Sequence, residues 1–254
     1  MEKGKNFTKS SISPQEYELI QKVVSSGLTV FSPDDVSRLL GWGKERAYRV
    51  IHNLKKKGIA TSLQGKYVIS PMFHEYNPLV VASCVVWPSY ISFWTALNFY
   101  KFTEQLPRTI FVATTRQKKK LEFDGNRVRF VQISGKRFFG YQEINGIIIA
   151  EKEKAFLDSL LLSRYSGGIT EISKCLRNAW DELDKEKLVQ YSLKMGNKSL
   201  VKRLGYLIQS NNLRISEELL YTLKKSIGKG YSKLDPQPEK RGNRDDEWQL
   251  ILNV

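Results

Sequence analysis

The chain of 254 residues has only two cysteines and two histidines. Cys84 and Cys175 lie far apart in the sequence, so they provide neither a disulfide framework nor a CxxC zinc motif. With His52 and His74 as the only histidines, a zinc site or a Ser-His-Asp triad has few residues to draw on. These scarcities leave open only metal-free carboxylate chemistry or a magnesium site built from carboxylates. From the sequence as a whole we expect no metal, no cofactor and no catalytic residue, and we interpret the protein as a non-enzyme.

The sequence also lacks a long apolar run. The longest, from Leu79 to Trp87, lies between Pro78 and Pro88 and falls well short of the roughly 18–20 residues that span a bilayer. The stretch from Met1 to Ser13 is polar and contains no hydrophobic signal segment. These absences predict a cytoplasmic protein with no membrane partner.

Acidic residues are scarce beside basic ones. The chain has 26 Asp and Glu against 41 Lys and Arg, which gives a formal net charge of +15 at pH 7. Such an excess is typical of proteins that bind polyanions, of which nucleic acid is the commonest. A lysine-rich surface that serves solubility or growth at high temperature gives the same balance. Charge alone therefore leaves both interpretations open.

Residues 1–76 contain the sequence signals of three helices and one β-hairpin. In Ser13-Pro14-Gln15-Glu16, a serine N-cap, a proline at the first helical position and a glutamate at the third form a capping box. The predicted elements are helices that begin after Ser13 and Ser32, a helix over 44–57, and strands over 59–63 and 67–70 joined by Gln64-Gly65-Lys66. Three short helices followed by a hairpin are typical of a winged helix-turn-helix domain.

The third predicted helix carries polar and apolar residues on opposite faces. At about 100° per residue, Glu45, Arg49, His52 and Lys56 form a stripe opposite the apolar face. Arg pairs with guanine, Asn with adenine, and Glu accepts from cytosine, whereas lysines at a helix end suit phosphates. The predicted DNA-binding residues are Lys44, Glu45, Tyr48, Arg49, His52, Asn53, Lys56 and, on the hairpin, Lys66. The alternative is that this stripe is an ordinary solvent-exposed helix face, because such faces are polar and charged as well.

Residues 77–254 are predicted to form a second, mixed α+β domain with a small sheet and several helices. Predicted strands cover 109–113, 127–133, 146–150 and 248–253. Predicted helices cover 89–100, 151–162, 169–179, 184–194, 198–210 and 216–226, and 228–247 is predicted to be a loop. The expected fold class of the whole chain is therefore α+β.

Two features of this second part leave alternatives open. The basic residues Arg116, Lys118, Lys119 and Lys120 could add phosphate contacts, or they could keep a hairpin edge from pairing with other chains. The carboxylates Glu151, Glu153 and Asp158 follow a buried strand, which raises a magnesium-dependent nuclease as a third interpretation. Their spacing departs from a nuclease motif because Lys154 adjoins Glu153, so we expect them to open a helix instead.

Four groups of residues carry a resemblance to a known family. They are the N-terminal winged helix-turn-helix, Tyr90-Ile91-Ser92 with Ala96-Leu97 and Glu104-Gln105-Leu106-Pro107, the segment from Ile149 to Asp158, and the tail Leu234-Asp235-Pro236, Gly242, Trp248 and Asn253. Arg203-Leu204-Gly205-Tyr206-Leu207 fits the same pattern. In this order they resemble AbiEi-type antitoxins, predicted transcriptional regulators of viral defence systems. Around Lys152 the family's usual form is closer to serine-proline-glutamate-arginine, so the sequence departs from it there.

The resemblance implies a type IV toxin–antitoxin system of the abortive infection kind. Residues 1–76 would bind inverted repeats in double-stranded operator DNA upstream of their own operon and repress it. Residues 77–254 would form an α+β antitoxin or regulatory domain that counters a toxin of nucleotidyltransferase type without a tight complex. The alternative is a stand-alone winged-helix transcription regulator whose second domain senses a ligand or partner.

Overall fold

The computed structural model describes residues 11–236 and 241–254, which form two compact units. The first unit comprises the described residues up to Trp87 together with Leu121–Arg127, and the second comprises Pro88–Lys120 and Val128–Val254. No helix in these described ranges is long and apolar enough to cross a membrane. The domain boundary after residue 76 stays a prediction, and residues 1–10 of the polar N-terminal stretch lie outside the described residues.

The first two helices begin at the serines that the sequence marks as caps. α1 covers Pro14–Ser25 and α2 covers Pro33–Leu40. Before each helix, the serine hydroxyl accepts a hydrogen bond from an amide three residues on, and that residue's carboxylate accepts one from the serine amide. α2 ends at Gly41, whose φ of 66° lies in the left-handed region that glycine adopts without strain. Both predicted capping signals are confirmed.

A third helix and a hairpin complete the core of the first unit. α3 covers Lys44–Lys56, and the strands β1 (Ala60–Leu63) and β2 (Lys66–Ile69) pair antiparallel after it. Lys66 pairs with Leu63 as the first residue of β2, so the predicted placement of Lys66 in the turn is wrong. The helices and the hairpin share one buried apolar cluster, which contains Leu19, Ile20, Val23, Phe31, Val36, Ala47, Val50, Ile51, Leu54, Ile59, Ala60 and Ile69.

The first unit contains two further elements that the sequence did not predict. These are α4, over Pro78–Cys84, and the strand β5, over Leu121–Phe123. The side chain of Asn77 caps α4 by accepting a hydrogen bond from the Leu79 amide at 2.9 Å. The Tyr76 hydroxyl donates a hydrogen bond to Asp124, which follows β5. This bond and the cap hold the two residues that directly precede α4.

The second unit is built on a mixed sheet. Its strands are β3 (Ser89–Ile91), β4 (Thr109–Thr114), β6 (Asn126–Gln132, of which the first two residues belong to the first unit), β7 (Tyr141–Ile144) and β8 (Ile147–Ala150). They lie in the order β6-β4-β3-β8-β7. β3 is antiparallel to β4 and parallel to β8, and β7 is antiparallel to β8. The strands predicted over 109–113, 127–133 and 146–150 are confirmed.

The helix predicted over 89–100 is wrong in its first part. Ser89–Ile91 form β3, and the helix α5 covers only Phe93–Phe99, after Ser92 as its N-cap residue. Tyr90 and Ile91 are fully buried, and β3 lies between β4 and β8 in the sheet. A strand covered on both faces is apolar throughout, and a short apolar run cannot be told from a buried helix by its periodicity.

Five helices follow the sheet, and they confirm the five predicted from Glu151 onward. They are α6 (Lys152–Leu161), α7 (Ile169–Ala179), α8 (Lys185–Lys194), α9 (Lys198–Ser210) and α10 (Glu217–Ser226). Short 3-10 helices lie at Gly135–Arg137, Ser163–Tyr165 and Trp180–Glu182. The chain is therefore a mixed α+β protein, as expected.

The tail of the second unit forms a small sheet. Its strands β9 (Ser232–Lys233), β10 (Asn243–Asp245) and β11 (Leu250–Leu252) lie in the order β10-β11-β9. The predicted final strand is confirmed as β11, but the loop predicted over 228–247 is wrong at β9 and β10, while residues 237–240 lie outside the described residues. Strands of two and three residues are too short to show an alternating pattern.

Candidate nucleic-acid interface

The candidate interface is the solvent-facing side of α3. The other side packs Ala47, Val50, Ile51 and Leu54 into the core of the first unit, where each is at most 3% exposed. Because successive helical residues turn by about 100°, this packing directs the opposite side to solvent. The predicted residues on that side are all exposed, namely Lys44, Glu45, Tyr48, Arg49, His52, Asn53 and Lys56.

Most of these side chains are not engaged within the protein. In the described ranges, no intramolecular hydrogen bond or ion pair involves five of them, which are Glu45, Arg49, His52, Asn53 and Lys56. A ligand can therefore bind them without breaking a contact of the fold. We call Glu45, Arg49, His52 and Lys56 the central stripe of α3, and it combines one acidic, two basic and one imidazole side chain.

The composition of the exposed side matches the chemistry of base edges. Arg49 carries a planar fork of donors that fits the O6 and N7 acceptors of guanine. Asn53 offers one donor and one acceptor, the pattern that adenine N7 and N6 complement. Lys56 lies at the last residue of α3, where a flexible ammonium is suited to phosphate. The exposed side therefore carries side chains of the chemical types that can contact base edges and phosphates.

Lys44 differs from the other predicted residues because it has a partner. Its Nζ lies 2.9 Å from Oδ1 of Asp34 on α2, and both side chains are exposed. The hydrogen bond to Asp34 raises the pKa of Lys44 above its usual value of 10.5. The ammonium stays charged, but Asp34 partly neutralises it at the N-terminal end of α3.

Lys66, the residue predicted to reach DNA from the hairpin, is engaged inside the first unit. Its Nζ donates a hydrogen bond of 2.7 Å to the backbone carbonyl of Cys84 at the end of α4. A free wing-tip lysine would have its ammonium in solvent, whereas this one is half-buried. The structure therefore assigns Lys66 a contact that joins β2 to α4.

The four basic residues predicted as additional phosphate contacts lie in the second unit. Arg116, Lys118, Lys119 and Lys120 follow β4 and are all exposed. Lys119 takes part in a further interaction within the protein. Their exposure suits both alternatives, a phosphate-binding segment and a protected strand edge.

One arginine of α3 was not among the predicted site residues. The guanidinium of Arg46 lies over the ring of Trp42, with 4.2 Å between the Arg46 Cζ and the ring centroid. Trp42 is only 7% exposed and stands in the turn between α2 and α3. The signal was a tryptophan four residues before a cationic side chain, but helical spacing does not apply to a residue in a turn.

Two of the three carboxylates considered for catalysis share a partner in the second unit, because the Nζ of Lys187 lies 2.9 Å from Oε2 of Glu151 and 3.7 Å from Oε2 of Glu153. Asp158 is fully buried and pairs with Lys154, Glu153 accepts a hydrogen bond from the Asp184 amide, and Glu151 accepts one from the Tyr191 hydroxyl. Within residues 11–236 and 241–254, no group of three or more His, Cys, Asp or Glu side chains is arranged to hold a metal ion. Each of these carboxylates has a partner within the fold.

Comparison with known proteins found a likeness of the fold to one solved structure. No family model matches the sequence, and no curated protein matches it. Among solved structures, it resembles the crystal structure of the RV2827C protein from Mycobacterium tuberculosis, with a TM-score of 0.64 and 13% sequence identity. The match covers 97% of this chain and 94% of that one, so both units take part in it. At this identity the likeness establishes the fold alone.

Proposed function

We propose that the protein is a cytoplasmic, sequence-specific DNA-binding repressor that also acts as the antitoxin of a type IV toxin–antitoxin system. In this proposal it binds inverted repeats upstream of its own operon and counters a toxin of nucleotidyltransferase type. It is not an enzyme and needs no cofactor. The single observation that carries the DNA-binding part is the central stripe of α3, which is exposed and has no partner in the described residues.

The elements around α3 support a winged helix-turn-helix interpretation. α2 and α3 are joined by the three residues Gly41–Gly43, a turn of the length that links the helices of this motif. The β1–β2 hairpin follows α3 in the place of a wing, and a bridge between Phe31 and Tyr67 attaches it to the segment before α2. In such domains the second helix of the pair enters the major groove.

The antitoxin part rests on the resemblance to AbiEi-type antitoxins. The residues of this chain that carry the resemblance meet in one buried and one partly buried cluster. In the first, Tyr90 and Ser92 donate hydrogen bonds of 3.0 and 2.8 Å to Asp158. In the second, Asp235 and Asn253 exchange two hydrogen bonds of 3.0 and 2.9 Å. Buried residues of this kind maintain the fold, so we assign antitoxin activity to the exposed surface of the second unit rather than to these motifs.

The DNA-binding part is tested by titrating labelled DNA from upstream of the gene, beside a scrambled duplex, and following anisotropy at two salt concentrations. We expect a preference of at least about a thousandfold for the upstream DNA. The variant Arg49→Ala/Lys56→Ala should reduce that preference through the lost base-edge contact of Arg49, worth about 1–3 kcal/mol. The lost phosphate contact of Lys56 should weaken binding of both duplexes alike. Thermal unfolding shows whether the variant folds.

A matched control removes the same charge outside α3. Lys22 on α1 and Lys174 on α7 are exposed, so Lys22→Ala/Lys174→Ala should keep the preference for upstream DNA. Equal binding of both duplexes by the unmodified protein would contradict sequence-specific recognition. Equal loss in the two double variants would show that only overall charge matters.

The antitoxin part is tested in cells. Under this proposal we expect a nucleotidyltransferase-like gene beside the gene of this protein. Its expression should stop growth, and co-expression of this protein should restore it. The variant Arg49→Ala/Lys56→Ala should still restore growth, because its changes lie in the first unit. Failure of the unmodified protein to restore growth would favour the stand-alone regulator.

A further inference from the structure

The stack of Arg46 on Trp42 holds one cation in a fixed position beside the central stripe of α3. A guanidinium over an aromatic face within about 6 Å of the centroid is attracted by the ring, and tryptophan binds it best. The 4.2 Å separation lies well inside that limit. Trp42 is nearly buried, so it is itself fixed by the core of the first unit. The side chain of Arg46 is thereby ordered before any ligand binds.

Arg46 is also an uncompensated charge. The two carboxylates at the start of α2 are engaged elsewhere, because Asp34 pairs with Lys44 and Asp35 pairs with Arg38. In the part of the chain that the structure describes, no carboxylate lies within ion-pair distance of Arg46. Its Nε is buried without a hydrogen-bond partner, which leaves the two Nη groups as the donors for a ligand.

The position of Arg46 on α3 indicates which part of DNA it would meet. At about 100° per residue, Arg46 lies roughly 90° around the helix from the mean direction of the central stripe. When a helix lies in the major groove, the side chains that point straight into it meet base edges, and those at right angles meet the sugar–phosphate walls. With α3 in the major groove, Arg46 would therefore face a wall of the groove, and Arg49 and His52 would face its floor.

We propose that Arg46 binds a backbone phosphate of the DNA and that Trp42 is the positioning residue that holds its guanidinium in place. This inference rests on the proposed function. A guanidinium that is already ordered loses less side-chain entropy when it binds, so the stack strengthens the contact without touching DNA. Arg46 contributes to affinity and to the register of the protein on DNA, and it does not read bases.

The test measures binding of the full chain to the upstream and scrambled duplexes over a series of salt concentrations. Arg46→Met should bind both duplexes about tenfold more weakly, as expected for one charge-assisted contact. The slope of log K against log salt should fall in magnitude by about one. Arg46→Lys keeps the charge and should keep the slope, with a smaller loss of affinity. Lys22→Met removes a charge on α1 and should leave both duplexes bound as before.

A double-mutant cycle tests the positioning role of Trp42. Trp42→Leu should weaken binding of both duplexes in the unmodified protein but cause no further loss in the Arg46→Met background. Additive losses would mean that Trp42 acts only through the stability of the first unit. Trp42→Phe keeps an aromatic ring and should bind better than Trp42→Leu, and thermal unfolding shows that each variant is folded.

The remaining outcomes separate this inference from the proposed function. If the unmodified protein prefers upstream DNA and Arg46→Met binds with the same affinity and slope, the phosphate contact is refuted and the proposed function stands. A loss confined to the upstream duplex would make Arg46 a base-reading residue and overturn the phosphate assignment. If the unmodified protein binds neither duplex, both proposals fail together.

Discussion

Lys154 and Asp158 are fully buried on α6, where they form an ion pair. Lys154 also donates a hydrogen bond of 2.9 Å to the Tyr90 hydroxyl, and Tyr90 and Ser92 both donate to Asp158. Burial lowers the pKa of Lys154, and the Asp158 charge opposes that shift. Two charges inside a core are tolerated because each satisfies the other and because neighbouring hydroxyls complete their hydrogen bonds.

We expect Lys154→Met to lower the free energy of unfolding by about 3–5 kcal/mol, because it leaves the Asp158 charge buried without a counter-ion. Asp158→Asn should also lower the free energy of unfolding, because it leaves the buried ammonium of Lys154 without a counter-ion. In the double variant Lys154→Met/Asp158→Asn, the free energy of unfolding should fall by less than the sum of the two single decreases, because no buried charge is left. Urea unfolding measures all three values.

Lys174 provides the control for this pair. It is an exposed lysine on α7, so Lys174→Met should change the free energy of unfolding by no more than about 0.5 kcal/mol. Strictly additive losses in the double variant of Lys154 and Asp158 would show that the two charges do not stabilise each other.

Residues of the candidate site could be predicted only where the signal was local. The exposed side of α3 followed from helical spacing alone, and the structure exposes all seven residues predicted there. The partner of Lys66 could not be predicted, because Cys84 approaches it only through the packing of α4. The stack of Arg46 on Trp42 was missed for a similar reason, since it depends on the path of the turn between α2 and α3.

At the scale of elements, one contact ties the start of α1 to the end of α3. The Nζ of Lys57, just past α3, lies 2.7 Å from Oε2 of Glu16 and 2.9 Å from the Ser11 carbonyl. Glu16 is also the capping-box residue of α1 and is only 2% exposed. Burial raises the pKa of the Glu16 carboxyl, but hydrogen bonds from Lys57 and Ser13 outweigh it, so the pKa lies below its usual value of 4.5.

This downward shift predicts a loss of stability in acid. A carboxyl whose pKa is lower in the folded protein stabilises the fold above its unfolded pKa, near 4.5. That contribution is lost as the pH falls through the folded pKa. We therefore expect Glu16→Gln to lower the free energy of unfolding by about 1–3 kcal/mol at neutral pH. The difference from the unmodified protein should shrink as the pH falls below 4.5, which urea unfolding at several pH values measures.

Glu18 is the matched control on the same helix. It is exposed and makes no ion pair in the described residues, so Glu18→Gln should leave the acid dependence unchanged. A difference for Glu16→Gln that stays constant from neutral to acid pH would contradict a role for the carboxylate charge.

The helices could be predicted because their signals lie in adjacent residues. The strands that were missed depend on pairing with residues distant in the sequence. The cap of α1 is complete within Ser13–Glu16, so no other part of the chain is needed to recognise it. β3 exists because Ile91 pairs with Val112 on one side and Ile149 on the other. The residue pattern of Ser89–Ile91 does not indicate those partner strands. The helix predicted over 89–100 is therefore wrong at these residues.

At the scale of the whole molecule, the net charge of +15 is spread over both units and not confined to α3. Each lysine or arginine that neutralises a DNA phosphate releases counter-ions, so binding weakens with salt by a slope of about −0.9 per phosphate. Total charge raises binding to any duplex, whereas preference for one sequence requires base-edge contacts. The salt slope therefore measures the contacts to phosphates, and the preference for upstream DNA measures the contacts to base edges.

For the segment from Arg116 to Lys120, these two measurements distinguish a phosphate-binding role from the protection of a strand edge. Glutamine at Arg116, Lys118, Lys119 and Lys120 lowers the net charge from +15 by four, to +11. If these residues contact phosphates, the magnitude of the salt slope should fall by up to about 3–4 and the preference for upstream DNA should persist. If they protect a strand edge, the slope should stay the same and the variant should self-associate, which light scattering detects.

The control for this segment must lose the same charge at other exposed positions of the second unit. Four exposed lysines serve this purpose, namely Lys174, Lys194, Lys225 and Lys229. Their replacement by glutamine also gives +11, so a slope that falls equally in both variants would reflect overall charge alone. We expect the larger fall in the Arg116–Lys120 variant, because four cations within five residues can follow a run of neighbouring phosphates and four scattered ones cannot.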